Sequence, residues 1–102
     1  MNIPITGLVQ GYNYKISFTR YFKGAHYNSG FGCTVKDKII SQTNSGLSGL
    51  KFKSVKTGDV QGSFTFTATQ ETMYWVWDLR GVKDGTTAII KLYNLSIDFI
   101  WK

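Results

Sequence analysis

The chain has 102 residues, of which 42% are hydrophobic and 18% charged, and its net charge is +6. This composition excludes a disordered chain and fits one domain, residues 1–102, large enough to bury a core without metal or disulfide staples. The single cysteine, Cys33, cannot form an internal disulfide, and no apolar run approaches the roughly 18 residues of a membrane helix, so membrane insertion is not expected.

The opening "MNIPITGLVQG" lacks a basic start followed by a long apolar block and does not read as a signal peptide. A role outside the cell then requires a larger polypeptide or a virus particle as carrier. No segment repeats its apolar residues at helical spacing; they alternate, as in strands. "YNYKISFTRYF" places Tyr12, Tyr14, Ile16 and Phe18 on one face. Arg20 breaks that pattern, so the strand is expected to leave the core there. A loop over Lys23–Gly30 follows, then the strand "FGCTVK" with Phe31, Cys33 and Val35 inward. A tight turn at 36–38 leads into a strand "IISQT", and 44–49 is a further loop.

"LKFKSVK" alternates Leu50 and Phe52 against Lys51 and Lys53, and "TGD" turns the chain. "SFTFTATQ" sets Phe64, Phe66 and Ala68 against Ser63, Thr65 and Thr67. The next strand, "ETMYWVWDLRG", is apolar on both faces: Met73, Trp75, Trp77 and Leu79 share one side, and Tyr74, Val76, Asp78 and Arg80 the other. In the closing segment "AIIKLYNLSIDFIW", Ile90 and Leu92 have one parity while Leu95, Ile97 and Phe99 have the opposite one. A bulge near Tyr93–Asn94 reconciles them, because one extra residue flips every later side chain. The sum is an all-β, antiparallel β-sandwich of about seven to eight strands.

The stretches "GDVQGSFTFTATQETMYWVWDLRG" and "GTTAIIKLYNLSIDFI" resemble the C-terminal half of jelly-roll carbohydrate-binding modules, and "GLVQGYNYKISFTRYFKG" resembles their first core strand. The resemblance implies a jelly-roll and non-catalytic binding of cell-wall or cell-surface polysaccharide. Related modules occur in phage tail and baseplate proteins and in secreted glycoside hydrolases. It therefore implies a virion or extracellular setting within a larger protein or assembly. Many secreted relatives hold a structural calcium near the chain ends. Here no acid precedes Asp37, and Asp98 offers one ligand where calcium takes six to eight oxygens, so no metal or other cofactor is expected.

Sugar binding needs flat apolar faces for the pyranose ring and polar groups for its hydroxyls. Trp75 and Trp77, with Cβ atoms about 7 Å apart on one face, form one candidate platform. The alternative places them in the core and leaves Tyr74, Val76, Asp78 and Arg80 on the open face. Tyr21 and Tyr27, with His26, flank the first loop and are further ligand-binding candidates. Lys51 and Lys53 are candidates for contact with an anionic polymer; the bland reading is a solvated edge guarded by lysines. Cys33 reads as a small buried apolar residue. Asn94-Leu95-Ser96 fits the glycosylation pattern but falls in an expected strand and is discounted. His26 has no clustered Cys or His for zinc and no Ser/Asp partnership, and the six acids form no catalytic pair, so catalysis is not expected.

Saccharide binding is thus the leading expectation. A structural virion or oligomerisation domain, its aromatic face buried against other virion subunits, is the alternative. Single-stranded nucleic acid, which also uses basic grooves and stacking aromatics, is not expected as a partner in the absence of an oligonucleotide-binding motif.

Overall fold

The computed structural model describes residues 1–27, 31–40, 49–83 and 87–102. Seven strands form among them: β1 (Asn2–Ile5), β2 (Asn13–Lys23), β3 (Gly32–Lys36), β4 (Phe52–Lys53), β5 (Gly58–Thr67), β6 (Met73–Asp78) and β7 (Ile89–Trp101). They make two antiparallel sheets, ordered β1-β6-β3-β4 and β5-β2-β7. Of the successive strands, only β3 and β4 share a sheet; every other connection crosses to the opposite one. No helix is long and apolar enough to cross a membrane.

The sheets face each other through aromatic rings. Phe18 of β2 meets Trp75 and Trp77 of β6 at centroid distances of 4.9 and 5.6 Å, and Phe22 meets Phe31 at 5.0 Å. These contacts are tilted or edge-to-face, and the edge-to-face arrangement is one that the ring quadrupole favours. The alternations read from the sequence carry over. Tyr14, Ile16 and Phe18 are buried, as are Phe31 and Cys33, while Phe64 and Phe66 pack against the same core. Gly62, opposite Phe18 in β5, is required there: a Cβ at that position would lie 2.5 Å from the Phe18 ring.

Several expectations are corrected. The strand at the N-terminus, β1, was not anticipated; it pairs with β6 in register Ile3↔Trp75. The expected strand across "LKFKSVK" shrinks to the two residues of β4. The turn expected at "TGD" comes earlier, because Gly58 and Asp59 already belong to β5. Residues 39 and 40 are not in a strand; the rest of "IISQT", the loop at 44–48, the end of the first loop (28–30) and positions 84–86 lie outside the described residues.

Arg20 does not mark an exit from the core. Strand β2 continues to Lys23, and Arg20 is fully buried. Its Nη1 donates to the carbonyls of Lys56 (2.7 Å) and Gly58 (3.3 Å), and its Nη2 to that of Ser54 (3.2 Å). The guanidinium also lies over the Phe31 ring, 5.2 Å from its centroid. A planar fork of donors can serve three carbonyls at once, which is why arginine and not lysine suits this place. The carbonyls belong to the β4–β5 crossing, so Arg20 ties that crossing to β2.

Candidate functional site

Strand β6 lies between β1 and β3, and both of its faces are covered. Trp75 and Trp77 are 1% and 0% exposed, so they are core residues and present no face to a ligand. Of the two arrangements left open by the sequence, the core one holds. The outer face of β6 is closed too. Asn2 on β1 exchanges two hydrogen bonds with the backbone of Ile40, at 2.9 and 3.0 Å. The chain leaving β3 thereby returns across β6, and Val76 (0%) and Thr34 (3%) lie buried in that layer.

Of the alternative open-face set, Val76 and Asp78 are withdrawn by burial, while Arg80 stays exposed. Asp78 is fully buried, and its carboxylate accepts from the Arg80 backbone N–H at 3.0 Å and from the Arg80 side chain at 3.2 Å. A side-chain oxygen bonded to the N–H two residues on makes an Asx turn. Asp78 thus ends β6 and holds Arg80, instead of facing solvent beside it. Tyr74 is half-buried, opposite Lys36 in the register.

Tyr21 and Tyr27 do not form one cluster. Tyr21 lies on the outer face of β2 with Lys91 above its ring at 5.7 Å, whereas Tyr27, 56% exposed, carries Lys83 at 4.5 Å. His26 bridges to Val82, and its Nδ1 lies 3.0 Å from the Tyr27 carbonyl. Lys53 is exposed on β4 opposite Gly32. Lys51, also exposed, borders a cleft described next. Among the described residues, no three His, Cys, Asp or Glu side chains gather to hold a metal ion.

The cleft opens at the end of the sandwich where β2 begins and β5 ends. Its volume is about 520 Å³, and its polar wall comprises Asn13, Lys36, Asp37, Lys51, Thr65, Thr67 and Thr69 with Trp101. Trp101 is 58% exposed, in contrast to the two core tryptophans. It shares the outer face with Asn13 and Thr67, because the register runs Trp101↔Asn13↔Thr67 across the three strands. Thr67 Oγ1 donates to Asn13 Oδ1 at 2.6 Å, and Asn13 Nδ2 donates to the Trp101 carbonyl at 3.3 Å, so the wall is held in place. Gln70 Nε2 donates to the Asp37 carbonyl at 2.6 Å and fixes the opposite rim.

A rigid indole, amide and hydroxyl groups, one carboxylate and two ammonium groups therefore surround one opening. Such a set can stack on a flat apolar ring, hydrogen-bond a polyol and attract an anion. Sequence alternation missed Trp101. Continued from Leu95, Ile97 and Phe99, the parity turns it inward. A second register shift between Asn13 and Tyr14 inserts Ile100 and turns Trp101 outward. The one available signal was Trp101 lying at the very end of a strand, beyond the reach of the core.

The chain matches no protein-family model, no curated protein and no solved structure at a significant level.

Proposed function

We propose that this β-sandwich is a non-catalytic, jelly-roll-like module that binds an anionic cell-surface saccharide in the cleft around Trp101. It would serve as the adhesion domain of a larger particle or protein, such as a phage tail. The observation that carries the reading is the exposed Trp101 in one cleft with Asn13, Thr65, Asp37, Lys36 and Lys51. The indole supplies the stacking surface, the amide and hydroxyl groups meet sugar hydroxyls, and the lysines draw in carboxylate or phosphate substituents. An open site of this size suits a Kd of about micromolar to millimolar, roughly −8 to −4 kcal/mol, which repetition on a particle would multiply.

The test is tryptophan fluorescence during titration with bacterial cell-wall polysaccharide at low and high salt. Trp75 and Trp77 are shielded in the core, so the responding ring is Trp101. A saturable change is expected. Trp101→Ala should weaken binding, measured by calorimetry, by about tenfold, or roughly 1.4 kcal/mol. Lys51→Ala should remove part of the salt-sensitive component. A folded wild-type protein that shows no binding across charged and neutral polysaccharides at either salt would overturn the reading.

A further inference from the structure

The longest strand of the molecule, β7, lies at a sheet edge, and among the described residues nothing pairs with its far side. The other edges are guarded. β1 carries Pro4, β4 is two residues long beside Lys51, and β5 turns Gln61, Ser63, Thr65 and Thr67 outward. By contrast, β7 exposes Ile89, Tyr93, Leu95, Phe99 and Ile100, and it contains only two charged residues, Lys91 and Asp98. A long edge with unpaired N–H and C=O groups and apolar side chains is a template for another strand.

We propose that this edge pairs with the same edge of a second copy, antiparallel about a two-fold axis between Asn94 and Leu95, giving one continuous six-stranded sheet. Two features of β7 carry the proposal. The first is its charge order. In that register Lys91 of each copy stands opposite Asp98 of the other, so the two charges that would guard the edge against other strands attract at both ends of this one. Both side chains project from the outer face, Lys91 in register with Tyr21 and Asp98 with Lys15.

The second is the bulge. Across β2, Ser17 pairs with Ser96 but Thr19 with Tyr93, and Asn94 has φ 56°. Inward positions are therefore even before the bulge and odd after it. The same register then sets Ile90 against Phe99 and Leu92 against Ile97, all inward, so the apolar faces match. Residues that share a face in an antiparallel pair also share the side to which their backbone groups point, so the hydrogen bonds match as well. The two copies contribute the same strand, and the assembly closes at two. The proposal is independent of what the Trp101 cleft binds.

The experiment is sedimentation of the intact chain over a range of concentrations, with charge-reversal variants. Wild type should sediment as a dimer that dissociates on dilution. Lys91→Asp and Asp98→Lys each set like charges opposite one another at both ends, and each should raise the dimer Kd by roughly tenfold. The double variant Lys91→Asp/Asp98→Lys restores opposite charges and should recover wild-type dimerisation, which also shows that the substitutions leave the fold intact. A wild-type chain that is monomeric at every concentration, open-ended association, or a dimer that ignores the single reversals would each overturn the proposal.

Discussion

At the scale of single residues, two buried polar groups show how the sandwich handles what its core cannot leave exposed. Burial lowers the Arg20 pKa below its ordinary value, yet the group keeps three carbonyl acceptors and an aromatic face. Arg20→Leu would fill the space but strand the carbonyls of Ser54 and Lys56 at the β4–β5 crossing. A loss of about 2 kcal/mol is expected from urea unfolding, since a part-buried acceptor left without its donor costs more than the made bond contributes. A loss under about 1 kcal/mol would mean that those carbonyls readily find water. Cys33 lies in the same core, and burial pushes its thiol from 9.0 up to about 12. A folded-state pKa above the unfolded one gives stability that is full below about pH 9 and is lost as pH rises toward about 12. Cys33→Ala should flatten that part of the stability curve in parallel urea titrations, and the native thiol should resist thiolate-directed labelling until the protein unfolds.

At the scale of elements, β7 depends on one residue. The bulge at Asn94 lets Ile90 and Leu92 on one side of it, and Ile97 on the other, all face the core. Asparagine tolerates the left-handed conformation found there better than branched residues do. Deleting Asn94 would leave a regular strand in which Leu95, Ile97 and Phe99 point outward. The expected outcome is a drop of at least about 3 kcal/mol in stability, or failure to fold, read from the urea midpoint. Asn94→Gly, which keeps the extra residue and the backbone conformation, should stay near wild type. The bulge was legible in the sequence because the apolar parity changes within one strand. The second irregularity, at Ile100, left no such trace: only Trp101 follows it.

At the scale of the whole molecule, the net charge is +6, and Lys36 and Lys51 border the Trp101 cleft. A basic surface raises the encounter rate with anionic polymers at low salt, and under the proposed function the cleft would supply the groups that discriminate among them. The two sheets also differ in their edges. Short or proline-bearing strands guard one sheet, while β7 leaves the other open along its length. Pairing through β7 would set two Trp101 clefts on one rigid body, far apart along the joined strand. A polymer long enough to span both would be held more tightly than a short oligosaccharide.

The sequence by itself determined the all-β class, the inward faces of β2, β3 and β5, and the position of the bulge in β7. Side-chain alternation is a local property with a period of two, and it survives whatever the rest of the chain does. It could not decide which side of "YWVW" was open, because both were apolar for different reasons. Trp75 and Trp77 face the opposite sheet, and Val76 lies beneath the chain that Asn2 holds at Ile40. Nor could it show that Arg20 belongs in the core, since its three acceptors come from residues more than thirty positions away. The candidate cleft was decided by tertiary structure for the same reason. Asn13, Lys36, Lys51, Thr65 and Trp101 carry no common spacing and meet only where the ends of several strands converge.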